Sequence, residues 1–173
     1  NDQPGKPGRS TDLATEYPAY LERYVIEARA VGAQPVLVTP LTRRMFDQGR
    51  LKNDLRPWAE AAIAVAEKLE VPIIDLNLLS HDAVQTMGSS EANKFAQRRP
   101  TAAVAEAAAK GTTIPAATEI DDTPPPVSLP GMAQPKSSFD YTHLGRTGSD
   151  YFAAMMTQEL AKQVPDIRPL LIP

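Results

Sequence analysis

Two short apolar runs of the same kind constrain this chain most. Pro35-Val36-Leu37-Val38-Thr39 and Val71-Pro72-Ile73-Ile74-Asp75-Leu76 are each rich in β-branched residues and bounded by proline or a polar residue, with a helical pattern between them. Strands that read as continuous apolar runs suit a parallel sheet covered on both faces. Strand, helix and strand at this spacing form a βαβ unit, which implies a parallel sheet and a right-handed crossover.

The helices follow from periodicity and punctuation. A helix is predicted over 14–31, with Tyr17, Leu21, Tyr24, Val25, Ala28 and Val31 as its apolar stripe, Pro18 in its first turn and Gly32 just past its end. A second is predicted over 55–69, with the stripe Trp58, Ala62, Val65, Ala66 and Leu69, Pro57 in its first turn, and Asn53 or Asp54 as its cap. A third runs over 77–87 and ends near Gly88, and a last one over 147–163. Residues 1–13 and 40–54 read as loops. The 89–139 stretch breaks the pattern: an Ala-rich helical piece over 100–110 precedes Pro115, Pro124, Pro125, Pro126, Pro130 and Pro135, which reads as a surface insertion. Pro165 and Pro169 predict a non-helical tail. Two strands cannot cover this many amphipathic helices, so the sheet reads as incomplete at its front end. The opening Asn1-Asp2-Gln3-Pro4-Gly5 has neither an initiator Met nor a signal-peptide pattern, which raises the same expectation of a processed chain or an internal piece.

Composition excludes several classes of chemistry. With no Cys, thiol catalysis, disulfides and thiolate metal sites are ruled out, and two His residues make a multi-histidine metal centre an improbable reading. A net charge of -3 gives no basic face for nucleic acid, and no apolar stretch approaches the roughly 20 residues of a membrane helix.

The strongest chemical constellation is Asp140-Tyr141-Thr142-His143-Leu144, in a loop just before a helix. A carboxylate three residues ahead of an imidazole can reach back to the ring Nδ1–H. That fixes the tautomer and leaves Nε2 as a general base. The plainer alternative makes His143 a packing or capping residue and Asp140 a turn residue. Arg43 and Arg44 follow the C-terminal end of the first strand, the edge where open α/β sheets bind ligands, and their forks suit carboxylates; a solvated loop pair is the alternative. Phe46 or Tyr141 could stack on a sugar or belong to the core. Trp58 reads as core, His81 as a surface helix residue and Asp75 as the cap of the turn after its strand.

The Asp140–Leu144 block, with Gly148 five residues after the histidine, resembles the last sequence block of the GDSL, or SGNH, esterases. Asn1-Asp2 resembles the end of their Gly-His-Asn-Asp block. Pro35–Thr39, Thr42-Arg43-Arg44, Phe46-Asp47 and Val71–Leu76 resemble their rhamnogalacturonan acetylesterase branch, so that the likeness covers 1–88 and 138–163. The resemblance implies a three-layer α/β/α flavodoxin-like fold, here the C-terminal part of one SGNH-hydrolase domain spanning 1–173 with an insertion at about 89–139. It implies a serine acetylesterase that removes O-acetyl groups from a pectic polysaccharide such as rhamnogalacturonan, taking part in pectin degradation without cofactor or metal. His143 would be the base, Asp140 its orienter and Asn1 an oxyanion-hole donor, with Arg43, Arg44 and Tyr141 as substrate contacts. The family's Gly-Asp-Ser nucleophile motif does not occur in the 173 residues. The nucleophile is therefore expected upstream, on the same or a separate chain, and this piece alone is expected to be inactive. The implied partner is an acetylated polysaccharide or oligosaccharide, with neither nucleic acid nor membrane, and a secreted or periplasmic location follows from the resemblance only. The alternatives are an SGNH esterase or lipase of other acyl esters, and a non-catalytic module binding acetylated glycan.

Overall fold

The computed structural model describes residues 10–115 and 139–171. In chain order the elements are α1 (Glu16–Ala30), β1 (Leu37–Val38), β2 (Phe46–Asp47), β3 (Arg50–Leu51), α2 (Arg56–Leu69), β4 (Ile73–Ile74), α3 (Leu76–Ala92), α4 (Ala102–Ala109) and α5 (Arg146–Gln163), with 3₁₀ turns at Asn93–Phe95 and Pro165–Leu170. The described residues fall into two compact units, one of 10–42, 53–81 and 154–171, the other of 43–52, 82–115 and 139–153.

The first unit is built on the parallel pair. Strands β1 and β4 pair with Leu37 opposite Ile73 and Val38 opposite Ile74, and the ladder is extended by Leu37 N–H to Pro72 O and Thr39 N–H to Ile74 O. The sheet is mixed with helix, small and parallel here, as the βαβ spacing predicts. Val38 is nevertheless exposed, so β1 is not covered on both faces among the described residues. Helix α2 buries Ala59, Ala62, Val65 and Ala66, and α1 lies beside it, with Tyr17 edge-on to Trp58 at 4.9 Å between ring centroids.

Helix ends explain where expectation and structure part. Gly32 lies at φ 79°, and the pair Gly32 N–H to Arg29 O and Ala33 N–H to Ala28 O closes α1 as a Schellman motif. Within α1 only Val25 is fully buried, and Tyr24 and Val31 of the predicted stripe are exposed. Leu55, not Asn53 or Asp54, holds the cap position of α2, and Arg56 N–H reaches the Asn53 carbonyl. The tail after α5 is helical rather than irregular. Its prolines sit in a 3₁₀ turn, whose short span tolerates them.

The second unit holds a hairpin inside the predicted 40–54 loop. Phe46 pairs with Leu51 and Asp47 with Arg50. The two turn residues Gln48 and Gly49 both have positive φ, 48° and 80°, the requirement of a type I′ turn. Gln85 holds the chain leaving this turn, accepting from Leu51 N–H and donating to Gly49 O. Phe46 is fully buried, so it belongs to the core and not to a sugar platform. The helix that begins α3 ends at Gly88, as predicted, where φ 77° and ψ 169° are non-helical, and a second short helical piece continues α3 to Ala92. Of the stretch read as a surface insertion, residues 89–115 bury Phe95, Val104 and Ala108, whereas 116–138 lie outside the described residues. Thr101 caps α4 by accepting from Val104 N–H. Val104, Phe139 and Tyr141 form a core that Met45, Ala96 and Ile114 cover.

Candidate active site

The turn Asp140–His143 belongs to the second unit and is organised around one carboxylate. Asp140 Oδ1 accepts the main-chain N–H of Thr142 at 2.7 Å and of His143 at 2.6 Å. Its Oδ2 lies 2.7 Å from His143 Nδ1. Burial pushes the Asp140 carboxyl up, but the hydrogen bonds from His143 N–H, the His143 ring and Thr142 N–H together outweigh it and hold the group below the usual carboxylate value. An ionised carboxylate only accepts, so Nδ1 carries the proton and the neutral ring presents its lone pair at Nε2. The His143 side chain is 69% exposed. The spacing of the two residues thus produces the oriented pair that the sequence suggests, a ring able to take up a proton beside a fixed negative charge.

The chain after the turn is anchored by close backbone approach. Ala96 and Leu144 form an isolated antiparallel bridge, and Gly145 N–H donates to Phe95 O at 2.8 Å. A Cβ on Gly145 would fall 2.6 Å from Ala96 O, and one on Gly148 would fall 2.8 Å from both Phe95 Cβ and Phe95 O. Gly148 therefore lets the first turn of α5 seat against Phe95, which also packs on Phe152.

Arg44 is not where the sequence reading put it. It is 1% exposed, and its guanidinium is directed at the turn rather than at solvent. Nη2 donates to Asp140 O and to His143 O, each at 2.9 Å, Nη1 lies 3.5 Å from Thr142 O, and Arg44 N–H donates to Tyr141 O at 3.0 Å. Burial lowers its pKa to about 10, the Asp140 charge working in the opposite direction, so it remains a cation at neutral pH. A substrate carboxylate cannot compete for a fork already engaged by main-chain carbonyls inside the fold. Tyr141 is likewise engaged inside the fold rather than offered to a substrate. It is buried, edge-on to Phe139, and its hydroxyl donates to Ile114 O at 2.7 Å, so it presents no face to a sugar. Arg43 is half-buried, and Asn1 lies outside the described residues. No signal in the sequence links Arg44 to the turn, since 96 positions separate it from Asp140.

An open cavity of about 450 Å³ lies next to Ala96, lined among others by Asn93, Lys94, Gln97, Arg98 and Arg99. Among the described residues no three His, Asp or Glu side chains gather as a metal-ligand set, and no helix is long and apolar enough to cross a membrane.

In the first unit, Asp75 caps the start of α3 through Leu78 N–H, accepts from Thr39 Oγ1 at 2.9 Å and pairs with Arg56 at 2.8 Å. It is a turn cap, as its position after a strand suggests.

No protein-family model matches the chain, and no solved structure matches it significantly. Two curated proteins of Bacillus subtilis (strain 168) are similar to it. Rhamnogalacturonan acetylesterase RhgT is 36% identical over 96 residues, which is 55% of this chain and 40% of that protein. The probable rhamnogalacturonan acetylesterase YesY is 38% identical over 71 residues, 41% of this chain and 33% of that protein. The chain thus spans well under half the length of the curated relatives it matches. In sequence the chain is similar to proteins named as rhamnogalacturonan acetylesterases, as its motifs suggest.

Proposed function

We propose that the complete protein removes O-acetyl groups from a pectic polysaccharide such as rhamnogalacturonan by a Ser-His-Asp mechanism, and that His143 is its general base. The observation that carries this reading is the 2.7 Å contact of Asp140 Oδ2 with His143 Nδ1, on a side chain that is largely exposed. Two relatives that bear the acetylesterase name support the substrate class.

In this mechanism a serine hydroxyl attacks the acetyl carbonyl as its proton passes to His143 Nε2, and Asp140 stabilises the imidazolium that forms. The imidazolium then gives that proton to the leaving sugar oxygen. The acetyl-enzyme is hydrolysed by water activated at the same nitrogen. Asn1 Nδ2 is one donor to the oxyanion; losing one donor of such a hole costs about 10²–10³-fold in rate. The nucleophile is a serine outside the 173 residues, because no Gly-Asp-Ser stands within them. Among the described serines, Ser80 and Ser89 are buried and donate to the carbonyls of Asn77 and Ala108. The fold we assign is the three-layer α/β/α arrangement, of which 1–173 form the C-terminal part of one domain. With Arg44 engaged inside the fold and Lys94 held by Glu91 at 2.7 Å, the exposed Arg99 that lines the 450 Å³ cavity is better placed for a uronate carboxylate.

The test is acetate release from acetylated rhamnogalacturonan and from p-nitrophenyl acetate, measured on the 173-residue chain and on the protein that also carries the preceding coding sequence. Activity is expected in the longer protein only, and its loss in His143→Ala. Ester cleavage by the 173-residue chain unaided, or an active His143→Ala, would overturn the reading.

A further inference from the structure

We infer that Arg44 is the positioning residue of the His143–Asp140 pair, an inference that rests on reading His143 as the base. The carbonyls of four consecutive residues, Asp140 to His143, are all directed at this one arginine. The bridging geometry matters most. A single nitrogen, Nη2, holds the carbonyls of both Asp140 and His143 at 2.9 Å, so it pins the two ends of the turn to one point. The separation of those two backbones sets where Asp140 Oδ2 meets His143 Nδ1. The carboxylate's own bonds to Thr142 and His143 N–H act on the opposite side of the same turn. The turn is thus gripped by a cation at its carbonyls and by an anion at its amides.

The grip is stiff because Arg44 is itself held. Its N–H is bonded to Tyr141 O. Two residues on, the chain enters β2, where Phe46 is fully buried and exchanges hydrogen bonds with Thr113. A buried charged donor makes stronger bonds to carbonyls than a neutral one. A planar fork loses less freedom in doing so than a lysine ammonium. Arg44 touches neither solvent nor a reacting atom, so its contribution passes through the ring it orients.

The test uses the full protein with ¹⁵N-labelled histidine, the His143 signals being assigned by their loss in His143→Ala. In the wild type, Nδ1 is expected to carry a proton protected from exchange by its bond to Asp140 Oδ2. In Arg44→Met the protected signal should vanish and the two nitrogens should average. For p-nitrophenyl acetate, kcat should fall about 10²-fold, the scale of a roughly 1 Å misplacement, while KM changes less than about twofold. Added guanidinium ion should recover part of the rate in Arg44→Ala. If Arg44→Met fails to fold by circular dichroism, Arg44→Lys is decisive. It keeps the charge and loses the fork, and should show a weakened signal with an intermediate kcat. Folded variants that keep both the protected Nδ1 proton and the wild-type kcat would overturn the inference while leaving the esterase reading intact. A wild type that cleaves no acetyl ester, yet whose ring signal depends on Arg44, would remove the esterase reading and leave the positioning role standing.

Discussion

Asp75 and Asp140 are the same residue type used in two opposite ways, one in each unit. Both stand ahead of a helix, both accept main-chain N–H groups, and both are held below the ordinary carboxylate value. In each case burial pushes the carboxyl up and hydrogen bonds to the ionised form outweigh it. The difference lies in what the nearby arginine does. Arg56 bonds the Asp75 carboxylate directly, and Thr39 takes the other oxygen, so that charge is fully engaged in structure. Arg44 bonds the carbonyls around Asp140 and leaves Oδ2 to an exposed imidazole. An arginine on the carboxylate makes a joint; an arginine behind it leaves the carboxylate available to a proton-transfer group.

The sharpest way to break this contrast is to remove the ring. His143→Ala in the active protein should cost about 10²–10⁴-fold in kcat, the usual scale of acid–base catalysis. The melting temperature should hardly move, because most of that side chain is in solvent. Asp140→Ala should cost less than His143→Ala, about 10²-fold, since it frees the ring to turn without removing the base; a kcat equal to that of the wild type would show the contact to be idle. Asp75→Ala should do the reverse. It leaves Arg56 Nη1, the Thr39 hydroxyl and Leu78 N–H without their acceptor, which costs about 1–3 kcal/mol in urea unfolding, with kcat unaltered.

Acid sharpens the comparison further. A carboxyl whose native pKa is depressed contributes stability that is fully present above its unfolded pKa of about 3.9 and is lost as pH falls through the lower native value. Stability should therefore decline below about pH 4, and Asp75→Asn should flatten that decline in a pH series of unfolding curves. The smallest effect belongs to the fully solvated pairs. Arg23→Ala, which breaks the exposed ion pair with Glu27, should shift stability by no more than about 0.5 kcal/mol.

Much of this molecule is legible from local pattern. The 3.6-residue period and the punctuating Gly32 locate α1 and α2 to within two residues, because helices close their hydrogen bonds within four positions. Apolar β-branched runs locate β1 and β4, and their spacing predicts the parallel pairing. Asp140 and His143 are readable for the same reason, since three positions put their side chains within reach of one another. The β2–β3 hairpin was also within reach, as Gln48-Gly49 between Asp47 and Arg50 allows positive φ at two successive residues.

What only the tertiary structure decides is which of several polar or aromatic residues is buried, and against what. Arg43 and Arg44 are identical in sequence, yet Arg44 is fully buried and Arg43 half-buried. Tyr141 becomes core because Phe139, Val104 and the Ile114 carbonyl surround it. The partners of Arg44 lie 96 to 99 positions away. No period or spacing encodes such a contact. A buried charge is placed by whichever distant carbonyls the fold assembles around it, since leaving it unpaired would cost more than any local preference supplies.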